Sequence, residues 1–318
     1  MRVGVIGVGH LGQHHARIYA DLPDAKLIGV ADVDPSRSRV VAERHGVAAY
    51  SDPASLLKEV EAVSVAVPTS AHHAITKACL EADVHVLVEK PIAATTEQAH
   101  ELIEVARRRG RVLQVGHVER FNPVLMAARA HISSPGFIEC QRRSPFSERG
   151  TDVDVVLDLM IHDLDIVLSF NPGEVEEVRA AGMPVLSATN DIANARIAFR
   201  GGCVANLTAS RVSSTRLRKL RLFQSDGYLS IDYHARQGLM YRRRTDGKTR
   251  PGLERETLTG SASDALTLEL DAFLRAASTG TRPVVSGEDG AAALSLAHRI
   301  LEEIDTFARR RKDREARG

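Results

Sequence analysis

Residues 2–22 read RVGVIGVGHLGQHHARIYADL. A short apolar strand runs into three glycines, Gly7, Gly9 and Gly12, and these run into a helical pattern. The spacing is G-x-G-x-x-G, placed between strand and helix as a dinucleotide loop requires. The first glycine permits the tight turn, and the second lets the backbone approach a pyrophosphate. The third lets the helix pack close to its strand, with the positive end of the helix facing the phosphates. His10 and Leu11 lie inside this loop and are read with it as cofactor-binding. A second strand, KLIGVADVD, ends near Asp32, twenty residues beyond Gly12. A carboxylate there grips the adenosine ribose hydroxyls and repels a 2′-phosphate, so NAD is expected rather than NADP.

Strand and helix go on alternating outward from this stretch. AVSVAVP (62–68) is a buried-strand run, SAHHAITKACLEA (70–82) a helix and HVLVEK (85–90) a strand. TTEQAHELIEVARRRG (95–110) is a helix stopped by Gly110, and VLQVGH (112–117) a further strand. Such alternation specifies a parallel, doubly wound sheet with its ligand at the carboxyl ends of the strands. PTS (68–70), EKP (89–91) and GHVERFNP (116–123) fall at those ends. Pro68, Thr69, His72, Glu89 and Lys90 are therefore candidate cofactor contacts. Lys90 precedes Pro91, which biases it toward extended geometry. It is either an ordinary strand-end lysine or a proton-transfer group.

The second half opens on a different puzzle. VVLDLMIHDLDIVL (155–168) is apolar except for Asp158, His162, Asp163 and Asp165. At about 100° per residue, Asp158, His162 and Asp165 share one helical stripe and Asp163 falls off it, as an exterior or structural acid. A polar stripe in an apolar helix either satisfies itself as structure or lines a reactive cavity. After it come alternating segments, DIANARIAFRGG (191–202), CVANLTASRVS (203–213), RKLRLFQSDGYLSIDY (218–233) and QGLMYRRR (237–244). These predict an open, mostly antiparallel sheet with one exposed face. Two amphipathic helices, 264–280 and 289–311, follow as core elements. The chain thus divides into an N-terminal Rossmann domain, 1–120, and a C-terminal α+β domain, 121–318.

Composition narrows the function classes. The 318 residues carry 42 Lys+Arg against 41 Asp+Glu, which argues against a nucleic-acid or membrane-surface binder. Cys79, Cys140 and Cys203 have neither zinc nor disulfide-framework spacing, so no metal is expected and a reducing, cytoplasmic setting is. The C-terminal RRRKDREARG reads as a solvated tail, and His14 and His15 as ordinary helix residues. Arg211, Arg216, Arg218, Lys219 and Arg221 either face a diphosphate or decorate a polar sheet face.

VGVIGVGHLGQHHA, VEKPIA and DLMIHDLD, in this order, resemble the Gfo/Idh/MocA oxidoreductases. The resemblance implies NAD-dependent hydride transfer from a sugar or cyclitol carbinol. It implies Lys90, Asp158 and His162 as the catalytic set, and Lys90, Arg120, Asn122, Asp158 and His162 as substrate contacts. It also implies that residues 121–318 serve substrate binding and oligomerisation, with subunits paired into a dimer or tetramer. VGHVERFNP (115–123) further resembles the branch acting on UDP-N-acetylhexosamines such as UDP-N-acetylglucosamine. That implies oxidation of the C3 hydroxyl to a ketone, which a partner PLP aminotransferase converts to an amine for lipid A. TDVDVV (151–156) stands where other branches carry a glycine-rich stretch. The rivals are a dehydrogenase of a free sugar, inositol or sugar acid, and a non-catalytic NAD-binding regulator.

Overall fold

The computed structural model describes residues 1–147, 153–244 and 252–315. The first two residues of TDVDVV and the last three of the tail lie outside it. The chain forms two compact units, Met1–Phe121 with Ser263–Ala292, and Asn122–Ala262 with Ala293–Gly318.

In the first unit six parallel strands form one sheet. They are β1 (Arg2–Ile6), β2 (Lys26–Ala31), β3 (Ala48–Tyr50), β4 (Ala62–Val65), β5 (His85–Glu89) and β6 (Leu113–Gly116). Their order is β3-β2-β1-β4-β5-β6, so it reverses between β1 and β4, where doubly wound sheets bind ligands. The connecting helices are α1 (Gly12–Asp21), α2 (Pro35–His45), α3 (Pro53–Leu57), α4 (Thr69–Glu81) and α5 (Thr96–Arg109). The boundaries follow local chemistry. Thr95 caps α5 by accepting the Gln98 N–H, and Gly110 ends it with φ 60°. α2, β3 and α3 escaped the sequence pattern, since β3 is three residues long and two of them are alanine.

The second unit begins with α6 (Pro123–Ala128) and β7 (Phe137–Arg143). A π-helical turn at Val156–Met160 leads into α7 (Ile161–Ser169). Then come β8 (Val175–Met183), β9 (Ile192–Phe199), β10 (Val204–Ser210), β11 (Leu217–Gln224), β12 (Gly227–Asp232), β13 (Gln237–Arg243) and β14 (Leu253–Leu258). The eight strands order as β14-β13-β12-β11-β7-β10-β9-β8. Only the β10–β7 pairing is parallel, so the sheet is mostly antiparallel and open. Alternation sends Ala193, Ala195 and Ile197 inward with Leu207, Leu220 and Ile231, into one core with Leu164 of α7. The outer face carries stacked Phe223, Tyr228 and Tyr241, with ring centroids 5.4 and 4.4 Å apart.

The last two helices correct the expected single break at residue 120. α8 (Ala265–Thr279) lies in the first unit, and α9 (Gly287–Glu315) begins there and runs on into the second. Leu270, Phe273 and Leu274 of α8 join Val3, Val5 and Tyr19 in the core of the first unit. Gln114 donates to the carbonyl of Glu269 at 3.1 Å. The β6 edge is covered by the same segment, with the Val115 N–H donating to the Val285 carbonyl. Amphipathic periodicity shows that a helix buries one face. It does not show against which core.

Candidate active site

The glycine loop is built by exclusion. Gly7 has φ +83°, and a Cβ there would stand 2.6 Å from the Ala66 carbonyl oxygen. A Cβ at Gly12 would collide with the Gly7 carbonyl. Gly9 differs, since a Cβ there would meet nothing within 4 Å. Its glycine leaves room for something outside the chain. Asp32 is buried and holds the loop, accepting the Val8 N–H at 2.8 Å and the Asp34 N–H at 2.9 Å. Asp34, Asp52, Thr95, Asn122 and Asp264 cap α2, α3, α5, α6 and α8 with side-chain oxygens. α1 and α4 have no side-chain cap, at Leu11 and Pro68. Their N–H ends face the carboxyl edge of the sheet with no carboxylate of their own, which suits an anionic ligand. His10, Leu11 and Pro68 are exposed and Thr69 half-exposed beside them. Open space at Gly9, uncapped helix ends and Asp32 together fit a dinucleotide.

Lys90 follows β5 and is half-exposed; its peptide bond to Pro91 is cis. Glu89, one residue earlier, is buried, and His15 Nε2 of α1 donates to its Oε1 at 3.0 Å. Burial pushes the Glu89 carboxyl up, but the His15 hydrogen bond and the His15 and Lys90 charges outweigh it and hold it below the usual range. His72 is also buried. Its Nδ1 stands 2.7 Å from the Pro91 carbonyl oxygen and its Nε2 2.9 Å from that of Val67. The buried ring thus lies between two backbone carbonyls, and its one N–H donates to one of them. His15 is likewise no ordinary helix residue. The partner that reveals it lies 74 residues away.

His117 follows β6, and burial and the charges of Arg120 and Lys90 push its imidazole down to about 3. The unfolded chain takes up this proton near the ordinary value of 6.5 and the folded one does not. The resulting stability is complete above pH 6.5 and falls by about 1.4 kcal/mol per unit as the pH drops toward 3. Urea unfolding followed by circular dichroism between pH 7 and pH 5 is expected to show this slope, flattened in His117→Gln. Equal slopes in the two proteins would refute the assignment.

In the second unit the π turn closes i→i+5 bonds, which reorients Asp158 relative to an unbroken helix. Asp158 and His162 stay half-exposed, whereas Asp163 and Asp165 are buried. Of the expected three-member stripe, Asp158 and His162 are thus the partly exposed members, and Asp165 is the buried one. Asp163 takes the structural alternative, receiving Arg142 Nε at 3.0 Å and Nη2 at 2.7 Å. The start of the turn is fixed by Asp154, whose Oδ1 accepts the Val156 N–H and whose Oδ2 accepts the Asn190 side-chain amide. Arg211 is no diphosphate ligand either. It is buried, donating from Nε to Asp191 at 2.7 Å and from Nη1 to the Val153 carbonyl at 2.6 Å. Two substrate candidates also have internal partners. Asn122 is buried as the cap of α6, its Oδ1 accepting the Val124 N–H and its amide donating to the Tyr233 carbonyl. Arg120 is buried with Asp289 at 3.9 Å. Residue type had suggested ligand contacts, and only the tertiary partners show internal ones.

The open glycine loop and Lys90 at the carboxyl edge of a doubly wound sheet define a dinucleotide-dependent oxidoreductase. Residues 1–117 match the model of an oxidoreductase family with an NAD-binding Rossmann fold, and residues 124–230 that of the GFO/IDH/MocA C-terminal domain. The chain belongs to the Gfo/Idh/MocA family and is an NAD-dependent dehydrogenase. It is 38% identical over 312 residues to the UDP-N-acetylglucosamine 3-dehydrogenase of Acidithiobacillus ferrooxidans, covering 98% of this chain and 99% of that protein. Against a solved structure of that enzyme the TM-score is 0.91 at 37% identity, covering 96% and 98%. The myo-inositol 2-dehydrogenase of Thermotoga maritima is 28% identical over 96% of each chain. A levoglucosan dehydrogenase in complex with NADH and levoglucosan shares the fold, with TM-score 0.85 at 20% identity and coverage of 96% and 97%. No helix among the described residues is long and apolar enough to cross a membrane.

Proposed function

We propose that this enzyme oxidises the C3 hydroxyl of a UDP-N-acetylhexosamine, UDP-N-acetylglucosamine first, to the 3-keto sugar. The observation that carries this is the end-to-end match to a UDP-N-acetylglucosamine 3-dehydrogenase, 98% of one chain against 99% of the other. The ketone product is a substrate for a PLP aminotransferase, and the reaction belongs in the cytoplasm with a homodimer or homotetramer as catalyst.

NAD, when bound, supplies the hydride acceptor. Gly7, Gly9 and Gly12 with the start of α1 hold its pyrophosphate, Asp32 serves the adenosine ribose, and Pro68, Thr69 and Glu89 lie along the same sheet edge. His162 takes the hydroxyl proton, since an imidazole titrates near neutral pH. Lys90 donates to the developing alkoxide and stabilises its charge. Asp158 lies four residues before His162, where it orients the ring or binds a neighbouring hydroxyl. Lys90 and His162 can exchange these two roles, and the two substitutions described below test whether each residue takes part at all.

The test is NADH absorbance with purified enzyme, NAD and UDP-N-acetylglucosamine, with a glutamate-dependent aminotransferase present to draw an unfavourable oxidation forward. NADH is expected to form with this substrate and not with free N-acetylglucosamine or myo-inositol. Turnover on the free polyol alone would replace the substrate class.

A further inference from the structure

The chain has thirteen histidines, and three of them, His15, His72 and His117, are buried, with exposures of 0%, 1% and 1%. They come from α1, α4 and the end of β6, yet they converge on one short turn. His15 bonds the Glu89 side chain and His72 reaches the Pro91 carbonyl, while His117 feels the charges of Lys90 and Glu89. Burying an imidazole costs free energy that an apolar side chain of similar volume would not. The described residues bear that cost only here.

The geometry brackets Lys90. On one side, Glu89 is held between His15 Nε2 at 3.0 Å and the backbone of Gly116, its register partner on β6. A Cβ at Gly116 would stand 3.0 Å from Glu89 Oε2, so a larger residue would crowd the carboxylate. On the other side, the His72 ring is wedged between the Pro91 carbonyl, 2.7 Å from Nδ1, and the Val67 carbonyl, 2.9 Å from Nε2, and the Nδ1 tautomer donates to Pro91. The residues before and after Lys90 are therefore each anchored by an imidazole from a different helix.

We infer that His15 and His72 are positioning residues for Lys90, fixing the Glu89–Lys90–Pro91 turn to the glycine-loop helix on one side and to the β4 loop on the other. The inference rests on the proposed reaction of Lys90. A lysine has four rotatable stem bonds and is a poor donor unless its backbone is fixed, and misplacement of about 1 Å can cost roughly a hundredfold in rate.

Glutamine at position 15 carries its amide nitrogen to where Nε2 stood, and asparagine falls short. At position 72 asparagine reproduces Nδ1 and leucine neither nitrogen. His15→Asn and His72→Leu are expected to lower kcat about 10- to 100-fold on UDP-N-acetylglucosamine. KM and the dissociation constant for NADH, followed by its fluorescence, should stay within about threefold. His15→Gln and His72→Asn should recover most of the loss. Equal kcat in His15→Gln and His15→Asn would overturn the inference, as would loss of NADH binding in step with turnover. If His72→Leu does not fold, the position 15 pair decides alone, since both of its members are polar and smaller than histidine. Lys90→Ala separates the two levels. A fully active Lys90→Ala removes the reading of Lys90 itself, whereas an inactive one beside unaffected histidine variants removes only the positioning role.

Discussion

Lys90→Ala is expected to lower kcat roughly a thousandfold, about 4 kcal/mol of transition-state stabilisation, while NADH binds within about threefold of wild type. The size follows from what the ammonium would do. It donates to an oxygen that gains negative charge only as hydride leaves, so the interaction is worth little in the ground state and much in the transition state. Lys90 is half-exposed at the end of β5, and its neighbours Glu89 and Pro91 are held by buried contacts. Truncation therefore removes a side chain without unpacking a core. His162→Ala is expected to lose about a hundredfold or more if, as proposed, it removes the proton acceptor, also with NADH binding retained. Steady-state kinetics with a separate NADH titration decide both cases. Wild-type turnover in either variant would sink the assigned role of that residue.

A second large effect is expected on stability. Arg142 of β7 and Asp163 of α7 form a two-point ion pair with side-chain exposures of 3% and 4%. Asp163→Ala leaves the guanidinium buried without this partner and is expected to cost about 3–5 kcal/mol. Urea unfolding of the purified variant, followed by circular dichroism because the chain has no tryptophan, measures the loss. Replacing both partners together, Arg142→Met with Asp163→Leu, is expected to return much of it, because no buried charge is left stranded. A loss below about 1 kcal/mol in the single variant would show that the pair does not hold α7 to the sheet.

The N-terminal unit was legible to the extent that its signals are local. Gly7, Gly9 and Gly12 lie within six residues, and the carboxyl ends of β4, β5 and β6 are marked by PTS, EKP and GHV in sequence. Spacing alone located the dinucleotide loop and Asp32. The same local reasoning did not reveal the internal partners of His72 and Asn122, because a polar residue at a strand end or an interdomain junction looks alike whether it meets a ligand or a carbonyl. His15 was missed for the converse reason. Within α1 it is one of two adjacent histidines, and nothing nearby says which is buried. The π turn hid in the same way, since apolar residues at 155–168 fit an uninterrupted helix.

What the sequence by itself determined is therefore the set of elements and the chemistry carried at their ends. That set comprises the doubly wound strand–helix alternation, the glycine loop, the acid after β2, the lysine after β5 and the Asp158/His162 pair. Each depends on periodicity or spacing inside one or two adjoining elements, which backbone geometry fixes directly. The tertiary structure alone decided which faces and which polar atoms meet. It returned α8 to the first core, set His15 on Glu89 across 74 residues, and turned Arg142, Arg211 and Asn122 inward to internal partners. Those choices come from close packing and from the cost of leaving a buried polar group unpaired, and both are settled between segments rather than within them.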